Sequence, residues 1–233
     1  MSSSSAPTDP EFIPVSVIVR SFVCPLRVYL ERHSSIEEPY VYTIAKQVGY
    51  HLGGELDPDM IWDEIRTVRP EIPDTMRAYS DGCIAACDGL SWDTPRAIDI
   101  SVRNSKYAIT GRVDWFFDQK PMIGILRATR APTYGVWRQD RIRAAAYLLA
   151  CEELDGGVIE EARIMYLPSG IVRFVIPTTS DRRSLLAAVR QVEAIYRGET
   201  PRAPPNAPCD RCPHKERCTR EPTTLFDRFF RRS

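Results

Sequence analysis

Cys209, Cys212 and Cys218 stand near the end of a 233-residue chain in a C-x2-C-x5-C arrangement. The first pair is spaced to grip one metal centre, and the third returns after a short loop. A fourth thiolate is available from Cys24, far away in sequence at a Cys24-Pro25 break in the first helical segment. Four thiolates suit an iron-sulfur cluster or a structural zinc ion, with His214 as an alternative zinc ligand. Coordination by this set clasps the two ends of the chain together. Clustered exposed thiols without a metal are reactive, which argues against three idle surface cysteines. Cys83, Cys87 and Cys151 fall on apolar helical faces and read as core residues.

The remaining chemistry is mostly that of arginine, since Lys46, Lys106, Lys120 and Lys215 are the only lysines. Phosphate or carboxylate recognition is then bidentate and permanently charged, and lysine general bases are scarce. Arg127, Arg130, Arg138, Arg141 and Arg143 lie close together with Tyr134 and Trp137, a mixture suited to phosphate contact and base stacking. The sum of 31 basic and 31 acidic residues hides a segregation. Residues 31–93 hold 13 acids and 5 bases, a net of −8, whereas residues 94–233 hold 16 acids and 24 bases, a net of +8. The basic excess leaves a DNA backbone as a partner.

These residues must be positioned by a fold. Residues 1–12 are rich in Ser, Pro and Asp and read as a disordered lead-in, and residues 13–93 as an N-terminal helical region. Pro25 predicts a bend or two short helices with Cys24 at the break. A second helix ends near Tyr50, His51 and the Gly53-Gly54 pair. Residues 94–200 alternate strand and helix: a hairpin turning at Asn104 and Ser105, a short buried strand, and the clearest helix, WRQDRIRAAAYLLACEEL. A second hairpin follows, turning at Pro168, Ser169 and Gly170, and then a helix capped by Ser180. This order is an α/β architecture with one mixed sheet. Residues 201–220 are a proline-stiffened linker and the cysteine cluster segment, and 221–233 an aromatic and basic tail. No signal-peptide pattern or run of 18 apolar residues occurs, so the expectation is a cytoplasmic protein without a membrane anchor.

From about Val15 to Cys218 the sequence resembles the CRISPR-associated four-cysteine RecB-like exonuclease family of the PD-(D/E)XK superfamily. The likeness is carried by the single cysteine in FVCPLRVYL, the terminal CxxCx5C, the Gly49-Tyr50-His51 triplet and the strand Gly111-Arg112-Val113-Asp114. It implies a restriction-endonuclease-like mixed sheet flanked by helices and a [4Fe-4S] cluster on Cys24, Cys209, Cys212 and Cys218. It also implies a Mg²⁺ or Mn²⁺ site on His51 and Asp114, DNA as substrate, and a protein partner in a CRISPR or repair complex.

The resemblance has gaps. Its E-x-K strand motif falls at Ile125, Leu126 and Arg127, and no acidic residue occurs between Asp118 and Asp140. Arg127 binds phosphate but does not act as a base. The Q-x-x-x-Y helix pair is matched by Arg143 and Tyr147. These departures predict a nuclease fold with a remnant site formed by Asp114, His51 and Arg127, and nucleic-acid contacts by Arg130, Tyr134, Arg138, Arg143 and Tyr147. The rival expectations are an active single-stranded DNA exonuclease completed by Asp118 or Asp99, and a zinc-clasped interaction module.

Overall fold

The computed structural model describes residues 12–34, 37–155 and 159–218. Residues 1–11 of the expected lead-in and the tail from 221 onward lie outside the described residues. The chain starts with a two-residue strand β1 (Ile13–Pro14), then helices α1 (Val15–Val23), α2 (Pro25–Glu31), α3 (Tyr40–Tyr50), α4 (Pro58–Val68) and α5 (Arg77–Cys87). Strands β2 (Ala97–Asn104), β3 (Ile109–Phe116) and β4 (Ile123–Arg127) follow, then α6 (Arg138–Asp155), β5 (Ala162–Tyr166), β6 (Ile171–Val175) and α7 (Thr179–Tyr196). None of the described helices is long and apolar enough to cross a membrane.

The strands form one mixed sheet. β2, β3 and β4 are successively antiparallel, β4 and β5 are parallel through the α6 crossover, and β6 closes the far edge antiparallel to β5. Neighbouring residues on each strand face opposite ways. Ile125 and Ile164 enter one core with Ile18, Ile142 and Val189, whereas Leu126 and Met165 enter another with Ile44, Ile61, Trp115 and Phe117. Helices α1, α6 and α7 therefore cover one face and α3, α4 and α5 the other, giving three layers. Cys83, Cys87 and Cys151 are buried in these cores, where burial pushes their thiols up to about 11, 12 and 12 and leaves them chemically quiet.

β3 is paired with β2 from Ile109 to Phe116 except at Asp114, but on its other edge only Trp115 and Phe116 meet β4, while Ile109 and Thr110 meet β1. The sheet is open between those two contacts, and the side chain of Asp114 stands at the opening. Pro25 splits the first helical segment as expected, because Cys24 is extended (φ −160°) and Pro25 starts α2. Two details differ from the sequence reading. The short β1 is too brief to leave a periodic signal. The cap of α7 is Thr178, not Ser180: its hydroxyl accepts from the Asp181 amide and Asp181 accepts from the Thr178 amide, a reciprocal box that Ser180 is placed too late to make.

Gly170 turns the β5–β6 hairpin at φ +58°, and a Cβ there would lie 1.7 Å from the Ala86 carbonyl oxygen. Gly170→Ala is expected to lower stability by about 3 kcal/mol or more, read from the midpoint of urea unfolding.

Candidate functional site

The register of β2 and β3 pairs Ile98 with Trp115 and Ile100 with Val113, which sets Asp99 opposite Asp114. Like charges directly across a strand pair repel. Here the repulsion is answered from α3, whose Tyr42, Lys46 and Tyr50 recur every four residues and so share one face. Lys46 Nζ lies 2.9 Å from Asp114 Oδ1 and also donates a short bond to Asp99 Oδ1. The Tyr50 hydroxyl donates to Asp99 Oδ2, and the Tyr42 hydroxyl stands 3.4 Å from Asp114 Oδ1. The second oxygen of Asp114 accepts the Leu126 amide at 2.7 Å, which ties the open edge of β3 to β4. Asp99 sits at φ +54°, a left-handed conformation uncommon for a residue other than glycine.

The charges of this cluster reinforce one another. Burial works against the Lys46 ammonium, but Asp114 and Asp99 outweigh it and hold its pKa above the ordinary lysine value. Burial likewise opposes ionised Asp99, yet the bonds from Lys46 and Tyr50 hold its carboxyl below the usual range. Tyr42 is pushed up by burial and by Asp114.

Beside this cluster lies a second one. Asp140, in the first turn of α6, is fully buried, with Arg127 Nε 2.7 Å and Arg143 Nε 3.6 Å from its Oδ1. The Arg127 pair is close but not aligned as a hydrogen bond. The Tyr166 hydroxyl donates to Asp140 Oδ2 at 3.0 Å. Burial, with Arg143 alongside, lowers the pKa of Arg127. Tyr147, one turn beyond Arg143, packs where residue 111 has no side chain: a Cβ at Gly111 would stand 2.7 Å from the tyrosine ring. The glycine of the Gly111-Arg112-Val113-Asp114 strand is thus required by the tyrosine four positions beyond Arg143.

The expected residues separate into groups. Asp114 is met by Lys46 from α3, whereas His51, at the C-terminal cap of the same helix, directs Nε2 to Glu64 Oε2 at 2.8 Å. Of the two carboxylates considered for completing the site, Asp99 is beside Asp114, and Asp118 is exposed, 3.8 Å from Arg96. Arg143 and Tyr147 are half-buried on α6. Arg130, Tyr134 and Arg138 lie on the exposed β4–α6 connection and the start of α6, with Tyr134 89% accessible. Trp137 is exposed beside them and donates its indole N–H to the Arg130 carbonyl at 2.9 Å. The place of Lys46 was not expected from sequence; the spacing of Tyr42, Lys46 and Tyr50 was the signal available.

Cys24, Cys209, Cys212 and Cys218 all line one cavity of about 460 Å³. Arg20, Arg27, Arg127 and Arg143 line it too, so the cavity reaches the second charge cluster. Among the described residues no three His, Cys, Asp or Glu side chains converge tightly enough to hold a single ion; the four thiols stand around the cavity instead. The terminal segment is also held by His214, whose Nε2 is 3.0 Å from Glu31 Oε1, a buried carboxylate shared with Arg27 at 2.7 Å. Burial opposes ionised Glu31, but the bonds from Arg27 and His214 prevail and lower its pKa. The acidic helix α4 and the neutral α5 pack on the opposite face of the sheet from α1 and α6, which wall this cavity.

With 12% sequence identity, the crystal structure of a "Putative exonuclease" from Eubacterium rectale superposes with a TM-score of 0.59, over 95% of this chain and 94% of that one. The two share a fold. The present chain thus has an exonuclease-like α/β fold with a six-stranded mixed sheet. In sequence, an uncharacterized protein of Archaeoglobus fulgidus is 24% identical over 133 residues, which are 57% of this chain and 60% of that protein. The match thus spans less than two thirds of that relative's length. No family model matches the chain.

The charge network predicts a pH signature. Asp99 is held low in the fold, so its contribution is complete above an unfolded pKa of ~3.9 and is lost as pH falls further. Lys46 is held high, so its contribution is complete below ~10.4 and is lost only as pH rises past that value. The stability difference between the wild type and Asp99→Asn, measured by urea unfolding, is expected to stay constant from about pH 5 to 9 and to shrink below about pH 3.9.

Proposed function

We propose that this chain is an iron-sulfur protein of nuclease-like fold that binds DNA and has lost the usual metal-dependent cleavage. The observation that carries the reading is the single arginine-walled cavity reached by Cys24 from one end of the chain and by Cys209, Cys212 and Cys218 from the other. These four residues would hold a [4Fe-4S] cluster, which supplies a covalent clasp and a one-electron store. The donor set fits: a polynuclear cluster takes thiolates from around a volume, whereas one zinc ion needs four ligands at ~2.3 Å from a point. Arg20, Arg27, Arg127 and Arg143 offset the negative charge of the thiolates.

DNA contact is assigned to the exposed Arg130, Tyr134, Trp137 and Arg138. Arginines there meet phosphates, and the two aromatic rings offer stacking faces for unpaired bases. The acidic helix α4 does not cover the cavity side of the sheet, which leaves the basic half available to a backbone. Arg127, in the position of the family's lysine, is occupied with Asp140 and leaves no base there. A scaffold of this kind serves a complex that acquires or processes DNA ends, with a protein partner from CRISPR adaptation or repair.

A second reading, an active single-stranded DNA exonuclease with a relocated carboxylate, is favoured by the approach of Asp99 to Asp114. Mn²⁺-dependent degradation of single-stranded DNA separates the two. The leading reading expects none; robust degradation abolished by both Asp114→Ala and Asp99→Asn establishes the second.

Two further outcomes are expected. Anaerobically purified Cys24→Ala loses its iron and melts at a lower temperature than the wild type, checked by metal analysis and thermal unfolding. Tyr134→Ala weakens binding of a single-stranded oligonucleotide by about 1–3 kcal/mol in fluorescence anisotropy, with little change in stability.

A further inference from the structure

Two carboxylates facing each other across a strand pair form, by donor chemistry, a site for a hard divalent cation. Between Asp99 and Asp114 that place is filled by part of the chain. We propose that the Lys46 ammonium is the resident cation of this site, a tethered charge that makes the carboxylate pair independent of divalent metal. The inference concerns the same centre as the loss of cleavage but requires neither DNA nor a cluster.

Four observations carry it. The ammonium contacts one oxygen of each carboxylate, Asp99 Oδ1 and Asp114 Oδ1, so it bridges them as an ion would. The other oxygens are taken by fixed donors, Asp99 Oδ2 by the Tyr50 hydroxyl and Asp114 Oδ2 by the Leu126 amide. A divalent ion would therefore have to displace donors as well as shed water, and Mg²⁺ dehydrates reluctantly.

Third, Lys46 is delivered by the helix that supplies both tyrosines, and its side chain is only 15% accessible. Its charge is presented by the fold, not by a solvated arm. Fourth, Asp99 keeps its unusual φ of +54° while both its oxygens are bonded to α3 residues. Such a conformation persists where its surroundings over-determine it. The charge balance agrees: Arg112 also acts on Asp99 and Arg127 on Asp114, so the two negative charges are met by positive ones without a metal.

The test is a Mn²⁺ titration without nucleic acid, followed by the electron paramagnetic resonance signal of the free ion and by thermal unfolding. Wild type, Asp99→Asn, Lys46→Met and the double variant Lys46→Met with Asp99→Asn are compared. Wild type and Asp99→Asn are expected to take up Mn²⁺ equally weakly. Lys46→Met, which keeps the length of the side chain and removes its charge, is expected to gain one Mn²⁺ site at ~10-fold or higher affinity, a step of about 1.4 kcal/mol. It should also melt higher with Mn²⁺, and the double variant should lose both effects.

Tight Mn²⁺ uptake by wild type that Asp99→Asn abolishes would overturn the proposal, as would a folded Lys46→Met without any gain. If Lys46→Met folds only when Mn²⁺ is present, the proposal stands; if it folds in neither condition, the comparison of wild type with Asp99→Asn decides. Because neither DNA nor iron enters the readout, failure here is distinct from failure of the DNA-binding or cluster assignments.

Discussion

The ammonium of Lys46 between Asp99 and Asp114 is the contact on which the centre of the molecule depends. It joins α3 to β2 and β3, and through the Asp114 bond to the Leu126 amide it extends to β4. The sheet is open at just this point, since β3 and β4 pair only through Trp115 and Phe116 with Gly124 and Ile123. A carboxylate that closes a gap in a ladder is costly to leave unpaired. The aligned face of Tyr42, Lys46 and Tyr50 provides the compensation from a single helix.

A neighbouring set of charges connects this centre to the ends of the chain. Arg127 at the end of β4 and Arg143 on α6 share the buried Asp140, and the same two arginines line the cavity of the four cysteines. Arg127, at the end of β4, is thereby part of the wall around the thiols. The Glu31 contact with His214 holds the terminal segment on α2 beside that cavity, and the Arg27 bond fixes Glu31 for it.

Much of this was legible in the sequence because its signals are local. The Cys24-Pro25 break gave the two short helices, the alternation of residues 97–116 gave the first hairpin, and the apolar helical cysteines proved to be core. The meeting of Cys24 with the terminal cysteines around one cavity was expected from ligand number. The Lys46 cluster was not, because residues 46, 99 and 114 belong to three elements and no spacing rule relates them. Its trace was a lone lysine between two tyrosines at four-residue intervals on an otherwise uncharged helix. The His51 partner was hidden for a related reason: at the end of α3 it stands off the face that Tyr42, Lys46 and Tyr50 share, and its bond goes to Glu64 on α4.

The most direct test is a crystal structure of the protein soaked in Mn²⁺, with an anomalous map recorded to locate the ion. The expected map shows Lys46 Nζ bridging Asp99 and Asp114 with no manganese between them. Manganese bound to both carboxylates, with Lys46 turned aside, would contradict it.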